Sequence, residues 1–230
     1  MRPRSNHKLL VLLLHAHTIL AAPTNAADTR FGIKFVNEHS VGIHVSNDWA
    51  AKDKAEYPDL IRTNEFIVPG GSLYLPASEH TSPKFYLAPT ANGKSTFVES
   101  RRDHNTVVEA TFGGFSNVTY YDVDIEKGIS VPIWCHGELD DWDTGAGCLQ
   151  DVLSVCPKED RHIDAKTGIY DYCRGTNSAE NIAIRASLCP DAYLLWDDMD
   201  TKHIHSGHVL TCTIHDPKKF ASSQSGDKDE

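Results

Sequence analysis

Hydrophobic residues recur at every second position through much of the first half of the chain: Phe31, Ile33 and Phe35, then Ile43 and Val45, then Leu73 and Leu75, then Phe85 and Leu87. Successive side chains of a strand point to opposite faces, so this alternation predicts half-buried β-strands. The stretches 37–40, Pro69-Gly70-Gly71 and Ala91-Asn92-Gly93 separate them and carry the turn chemistry of a β meander. Many short strands of this kind predict a mainly β chain folded as a sandwich or barrel. Residues 118–131 continue the alternation, with Tyr121, Val123 and Ile125 on one face and Asp122, Asp124 and Glu126 on the other. Same-face neighbours on a strand stand roughly 7 Å apart, so these carboxylates repel one another unless they are solvated, paired or ligated.

Beyond Pro132 the period changes. Cys148, Val152 and Cys156 recur every four residues, which predicts a helix with both cysteines on one face about two turns apart, ended by Pro157. A second helix is expected over 178–188, capped by Ser178, with Ile184 and Leu188 on one face. A last strand over 208–214 turns Leu210, Cys212 and Ile214 inward.

The opening 26 residues read differently. Arg2, Arg4 and Lys8 precede the apolar run 9–14, and small residues follow, with Thr24 and Ala26 before a cut after Ala26. That order is a secretory signal peptide, and His15 and His17 interrupt it too soon for a membrane span of roughly 20 apolar residues. Removing three cations and no acids takes the net charge from -10 to -13. So acidic a chain does not suit nucleic acid or an anionic membrane, both of which need clustered Lys and Arg, whereas neutral carbohydrate, metal cations or a basic protein fit. The remainder predicts one domain over 27–217 and a polar, disordered tail over 218–230, in a monomeric, extracellular protein. The six cysteines, Cys135, Cys148, Cys156, Cys173, Cys189 and Cys212, are an even number confined to the second half, and three disulfides follow from the oxidising compartment. Counting alone allows about 15 pairings of six. Asn117-Val118-Thr119 is a glycosylation sequon.

The strings YYDVDIEKGISVP, GCLQDVLSVCP, YDYC and LCPDAYLLWDD occur in an order that resembles the thaumatin-like proteins, which include osmotins and the sweet-tasting thaumatins. Cys-Pro-Asp-Ala-Tyr is the most specific of these pieces, and FVNEHSVGIHV and FIVPGGSLYLP resemble the family's opening strand pair and third strand. Typical plant members carry many more cysteines, and the reduced set here is more similar to microbial, especially fungal, members. The resemblance implies a thaumatin-like β-sandwich with a small helical, disulfide-rich insert. It also implies the bridges Cys148–Cys189 and Cys156–Cys173, leaving Cys135 and Cys212 for each other, although GHVLTCTI aligns with either of the family's two final cysteines.

The family's acidic cleft, associated with β-1,3-glucan, maps onto Glu109, Asp122 and Asp198. A fourth family acid falls on Lys127, with Glu126 adjacent, and the cleft arginine on Arg101 or Arg102. Independently of the resemblance, acids crowd two loops: Glu138, Asp140, Asp141 and Asp143, then Asp197, Asp198 and Asp200. With Trp142 and Trp196 interleaved, these loops suit sugar rings and hydroxyls, or else the tryptophans pack the core. Two carboxyl groups among Glu109, Asp122 and Asp198 would also suffice for glycoside hydrolysis at the right separation. Binding of cell-wall polysaccharide without catalysis is the expected function. The alternatives are a weak endo-β-1,3-glucanase and an effector or inhibitor that meets a basic secreted protein. No cofactor and no metal are expected: DDWDTGAG lacks calcium-loop spacing, and His203, His205 and His208 read as an exposed tract rather than a zinc or copper site.

Overall fold

The computed structural model describes residues 30–90, 104–139, 144–163, 170–195, 203–205 and 207–216. The expected signal segment and tail, the expected turn at Ala91-Asn92-Gly93, and Arg101, Arg102, Asp140, Asp141, Trp142, Asp143, Trp196, Asp197, Asp198 and Asp200 lie outside them.

Two sheets enclose one core among the described residues. The first has the order β10 (Ala146–Cys148), β9 (Ile133–Gly137), β14 (Val209–Ile214), β1 (Gly32–Asn37) and β4 (Ser72–Pro76). The second has the order β13 (His203–His205), β7 (Thr119–Asp124), β6 (Thr106–Thr111), β5 (Lys84–Thr90), β2 (Gly42–Asp48) and β3 (Glu65–Ile67). Their inward residues are those the alternation selects: Ile33, Phe35, Leu75, Leu210, Cys212 and Ile214 meet Ile43, Val45, Phe85, Leu87, Tyr121 and Val123. Phe35 and Phe85 meet edge to face across the sandwich at 5.7 Å between ring centroids, a favoured arrangement for aromatic pairs.

The connectivity departs from a simple meander. Among the described strands β5, β6 and β7 form a run of three consecutive neighbours, and β2–β3, β9–β10 and β11–β12 pair singly, while β1 and β2, the expected opening pair, belong to different sheets. The first described strand instead lies parallel to the last, with Phe35 opposite Cys212. A third sheet, β11 (Arg161–Ile163), β12 (Tyr170–Arg174) and β8 (Gly128–Ile129), packs with the helices of the second half of the chain. Among the described residues no helix is long and apolar enough to cross a membrane.

The first predicted helix is corrected. Cys148 ends β10, and the helix is a single turn, Val152–Val155, with Cys156 just past its end. Asp151 caps that turn by accepting the Ser154 N–H at 3.1 Å, and Pro157 follows at once, so the four-residue spacing spans a strand, a cap and one turn. The second helix runs over Ala179–Leu188, and Ser178 caps it by accepting the Asn181 N–H at 3.2 Å. Its buried residues are the polar pair Asn181 and Arg185, whereas Ile184 and Leu188 are half-buried.

All six cysteines are bridged. Cys135–Cys212 joins directly opposed positions of β9 and β14, Cys148–Cys189 ties β10 to the end of the long helix, and Cys156–Cys173 ties the single-turn helix to β12.

Candidate functional site

The outer face of the six-stranded sheet follows from the same two-residue period that buries Val45, Phe85, Val108 and Val123 on its inner face. Register aligns Asp48, Lys84, Glu109 and Asp122 in one row across β2, β5, β6 and β7. The next row is Ser46, Tyr86, Val107 and Asp124. Glu109 and Asp122 are therefore direct cross-strand neighbours, a pair of like charges that disfavours the sheet unless a cation intervenes. Lys84, on the other side of Glu109, hydrogen-bonds to its Oε1. Burial works against the Lys84 ammonium, but the hydrogen bond and charge of Glu109, aided by Asp124, carry its pKa upward. Lys54 similarly meets Asp48 at 2.5 Å at the end of the row.

Two adjoining concavities open on this face and share Glu109. One, of about 320 Å³, is lined by Ser82, Glu109, Thr111, Tyr120 and Asp122. The other, of about 210 Å³, lies among Lys84, Tyr86, Asn105, Glu109, Asp124 and Glu126. Together they form a trough with carboxylates and tyrosines on its floor.

Asp124 is the electrostatic centre of the second concavity. Burial raises its pKa to about 6, and the charges of Glu109 and Glu126 push the same way, against the Glu126 N–H and Lys84. That N–H donates to Asp124 Oδ1 at 2.7 Å. The Tyr193 phenol is pushed up by desolvation and then by Asp124, Glu126, Asp122 and Glu109, which places four carboxylates within electrostatic reach of it. A folded-state pKa above the unfolded value of roughly 3.9 means that the fold favours protonated Asp124. The associated stability is present at pH 4 and is lost as pH rises through about 6. Asp124→Asn keeps the acceptor oxygen, so thermal melts should show little change at pH 4 and a gain of about 1 to 3 kcal/mol at pH 7.5.

The corner that carries Asp124 is held from behind. Ile125 N–H donates to Tyr193 O at 2.9 Å, and Tyr193 N–H to Val123 O at 2.8 Å. Arg185 Nη1 donates to the carbonyls of Ile125 at 2.6 Å and Glu126 at 3.0 Å. Its Nη2 reaches Thr176 O at 3.1 Å and its Nε reaches Asn181 Oδ1 at 2.6 Å. Asn181 Nδ2 in turn donates to Asp160 Oδ2 at 2.7 Å. Gly128 completes the corner, since a Cβ there would stand 2.4 Å from the His104 carbonyl oxygen.

Of the residues singled out from sequence, the structure brings Glu109 and Asp122 together, with Lys127 beside them forming an ion pair to Glu126 at 2.9 Å. Asp198, Trp142 and Trp196 fall outside the described residues. Glu138 follows β9 in the other sheet, where its charge adds to burial in raising the Tyr74 phenol. His203 and His205 lie on β13, paired with β7, while His208 packs against Phe31 at 4.8 Å between ring centroids. Among the described residues no group of His, Cys, Asp and Glu is arranged to hold a metal ion. Lys84, Tyr86, Tyr120 and Arg185 were missed. Tyr120 shares the alternation of Asp122 and Asp124, so that signal was present, but Lys84 becomes visible only once β5 is registered against β6.

No family model and no curated protein matches the chain. Among solved structures, one similar protein is the thaumatin-like xylanase inhibitor TLXI, at TM-score 0.39 and 10% identity over 79% of this chain and 97% of that one. The chain matches a thaumatin-like protein over about four fifths of its length. A second similar structure is the protein elicitor MoHrip2 from Magnaporthe oryzae, at TM-score 0.36 and 8% identity over 80% of this chain and 98% of that one.

Proposed function

We propose that this is a secreted protein that binds cell-wall carbohydrate of the β-1,3-glucan type along the Glu109 trough without cleaving it. The observation that carries this reading is the pair of adjoining concavities that share Glu109, each with carboxylates and a tyrosine. Carboxylates accept hydrogen bonds from sugar hydroxyls, tyrosine rings cover the apolar faces of pyranoses, and two neighbouring depressions suit consecutive sugar units. The signal-like segment 1–26 and the full set of bridges support secretion, with 27–217 as the binding domain and 218–230 as its polar tail. Asp198, Trp142 and Trp196, assigned to sugar binding from the sequence, remain part of this proposal.

Sedimentation with insoluble β-1,3-glucan tests it. Glu109→Gln together with Asp122→Asn is expected to weaken binding at least roughly tenfold, because each lost charged hydrogen bond is worth about 1.5 to 3 kcal/mol. Unchanged sedimentation of that double variant would sink the assignment of this trough.

One observation favours a second reading, a weak glucanase: Asp124, raised by burial to about 6, shares a concavity with Glu109, and a carboxyl group that keeps its proton towards neutrality is suited to act as a general acid. Release of reducing ends that Asp124→Asn abolishes would replace binding by hydrolysis as the function.

A further inference from the structure

The tip of the β6–β7 hairpin holds an apolar side chain that the fold leaves uncovered. Phe115 is 84% exposed, more than any other large hydrophobic residue among those described. It lies two residues before Asn117 of the Asn117-Val118-Thr119 sequon, in the same tight turn. Asn117 N–H donates to Gly114 O at 2.9 Å, and Gly114 N–H donates to Val118 O at 2.8 Å, closing the turn on both sides. Ser116 and Asn117 have φ of 61° and 59°, in the left-handed region that asparagine tolerates better than most residues, and Gly113 adopts 56°. Phe115, Ser116 and Asn117 are all exposed, while Thr119 is buried at the start of β7. The Cα atoms of residues two apart stand at most about 7 Å from each other, so a sugar carried on the Asn117 amide has the reach to meet the Phe115 ring.

We propose that Asn117 carries an N-linked glycan whose first N-acetylglucosamine lies against Phe115, so that the turn and its sugar form one packed unit. The proposal rests on the secretory routing put forward above, and is independent of any ligand in the trough. In the transfer, the Asn117 amide nitrogen bonds to C1 of the reducing-end sugar of a lipid-diphosphate-linked oligosaccharide. The C1–O bond to phosphate breaks, the lipid diphosphate leaves with that electron pair, and the nitrogen gives up one proton. Once attached, the apolar face of the sugar covers the ring, removing from water a surface that is 84% exposed among the described residues. Tyr120 ties this tip to the trough, since its hydroxyl donates to Phe115 O at 3.4 Å and its ring lines the concavity of Glu109 and Asp122. The glycan therefore stands at the Thr111 and Tyr120 end of that trough.

The test uses the full chain, purified from the medium of a eukaryotic secretory host. Peptide mass analysis should find N-acetylglucosamine on Asn117, and an unmodified Asn117 in the secreted protein would overturn the proposal. Thermal melts of wild type and Phe115→Ala are then compared in three forms: intact glycan, glycan trimmed to its first sugar, and glycan removed by an amidase. Phe115→Ala should lower Tm by about 2 to 4 °C in the first two forms and leave the third within error, and Phe115→Tyr should restore the wild-type value. An equal shift in all three forms would show that Phe115 acts without the sugar and would overturn the proposed packing.

Discussion

Arg185→Ala is expected to destabilise the protein by about 3 to 5 kcal/mol, the range found when one partner of a buried charged network is removed. The side chain is 2% exposed, and its guanidinium satisfies the carbonyls of Ile125, Glu126 and Thr176 and the amide oxygen of Asn181 at once. Burial lowers its pKa, while Asp160, Glu126 and Asp124 hold the charge in place. Alanine would leave four acceptors without their donor and Asp160 without its countercharge. Lysine should recover only part of the loss, because a compact ammonium cannot span the fork that a planar guanidinium covers. Urea unfolding of the three proteins measures the difference. The same variants should lose affinity for insoluble glucan under conditions where they remain folded, because Arg185 holds the backbone at Ile125 and Glu126 and so sets the position of Asp124. An Arg185→Ala protein with wild-type stability would mean that these bonds are replaced by water.

Breaking Cys135–Cys212 with a double alanine substitution should have a comparable effect, about 4 kcal/mol for a bridge whose cysteines are 77 residues apart. The Cys156–Cys173 bridge closes only 17 residues, and its removal should cost about 1 kcal/mol less on entropic grounds. Denaturant midpoints of the two double variants give the comparison. If the shorter bridge proves the more important, constraint of the unfolded chain is not what these disulfides contribute. Cys135 and Cys212 are fully buried between two central strands, so the alanines also leave a small void that adds to the loss.

The strands were legible because one period selects one face: Phe31, Ile33 and Phe35, or Tyr121, Val123 and Ile125, announce a buried side wherever they pair. Pairing itself is not written in that period, which is why the parallel contact of β1 with β14 and the placement of β1 and β2 in separate sheets were not read from it. The pairings of the cysteines came from family resemblance, since the spacing of Cys148, Val152 and Cys156 mimics a helix across what is a strand end and a single turn. The long helix was found from Ser178 and its aliphatic residues, yet the side it buries is polar. Pattern reading looks for apolar stripes, and a buried arginine becomes intelligible only when the carbonyls of a distant corner are brought against it. In the trough, Glu109 emerged through resemblance, and Asp122 through both the alternation of its strand and the resemblance. Lys84 did not, because the row that joins them exists only after four strands are registered.

The position of β14 between β9 and β1 also sets an order in time. At about 5 to 20 residues per second, Gly32 emerges roughly ten to forty seconds before Ile214. For roughly the last four to fifteen seconds of that interval, after β9 is made, the nascent chain has β1 and β9 without the strand that separates them. Cys135 meanwhile waits as a thiol while Cys148, Cys156, Cys173 and Cys189 are made before its partner, Cys212. A wrong bridge formed early would have to be exchanged before the first sheet can close, so the yield of folded protein should be governed by thiol exchange in the compartment where it folds.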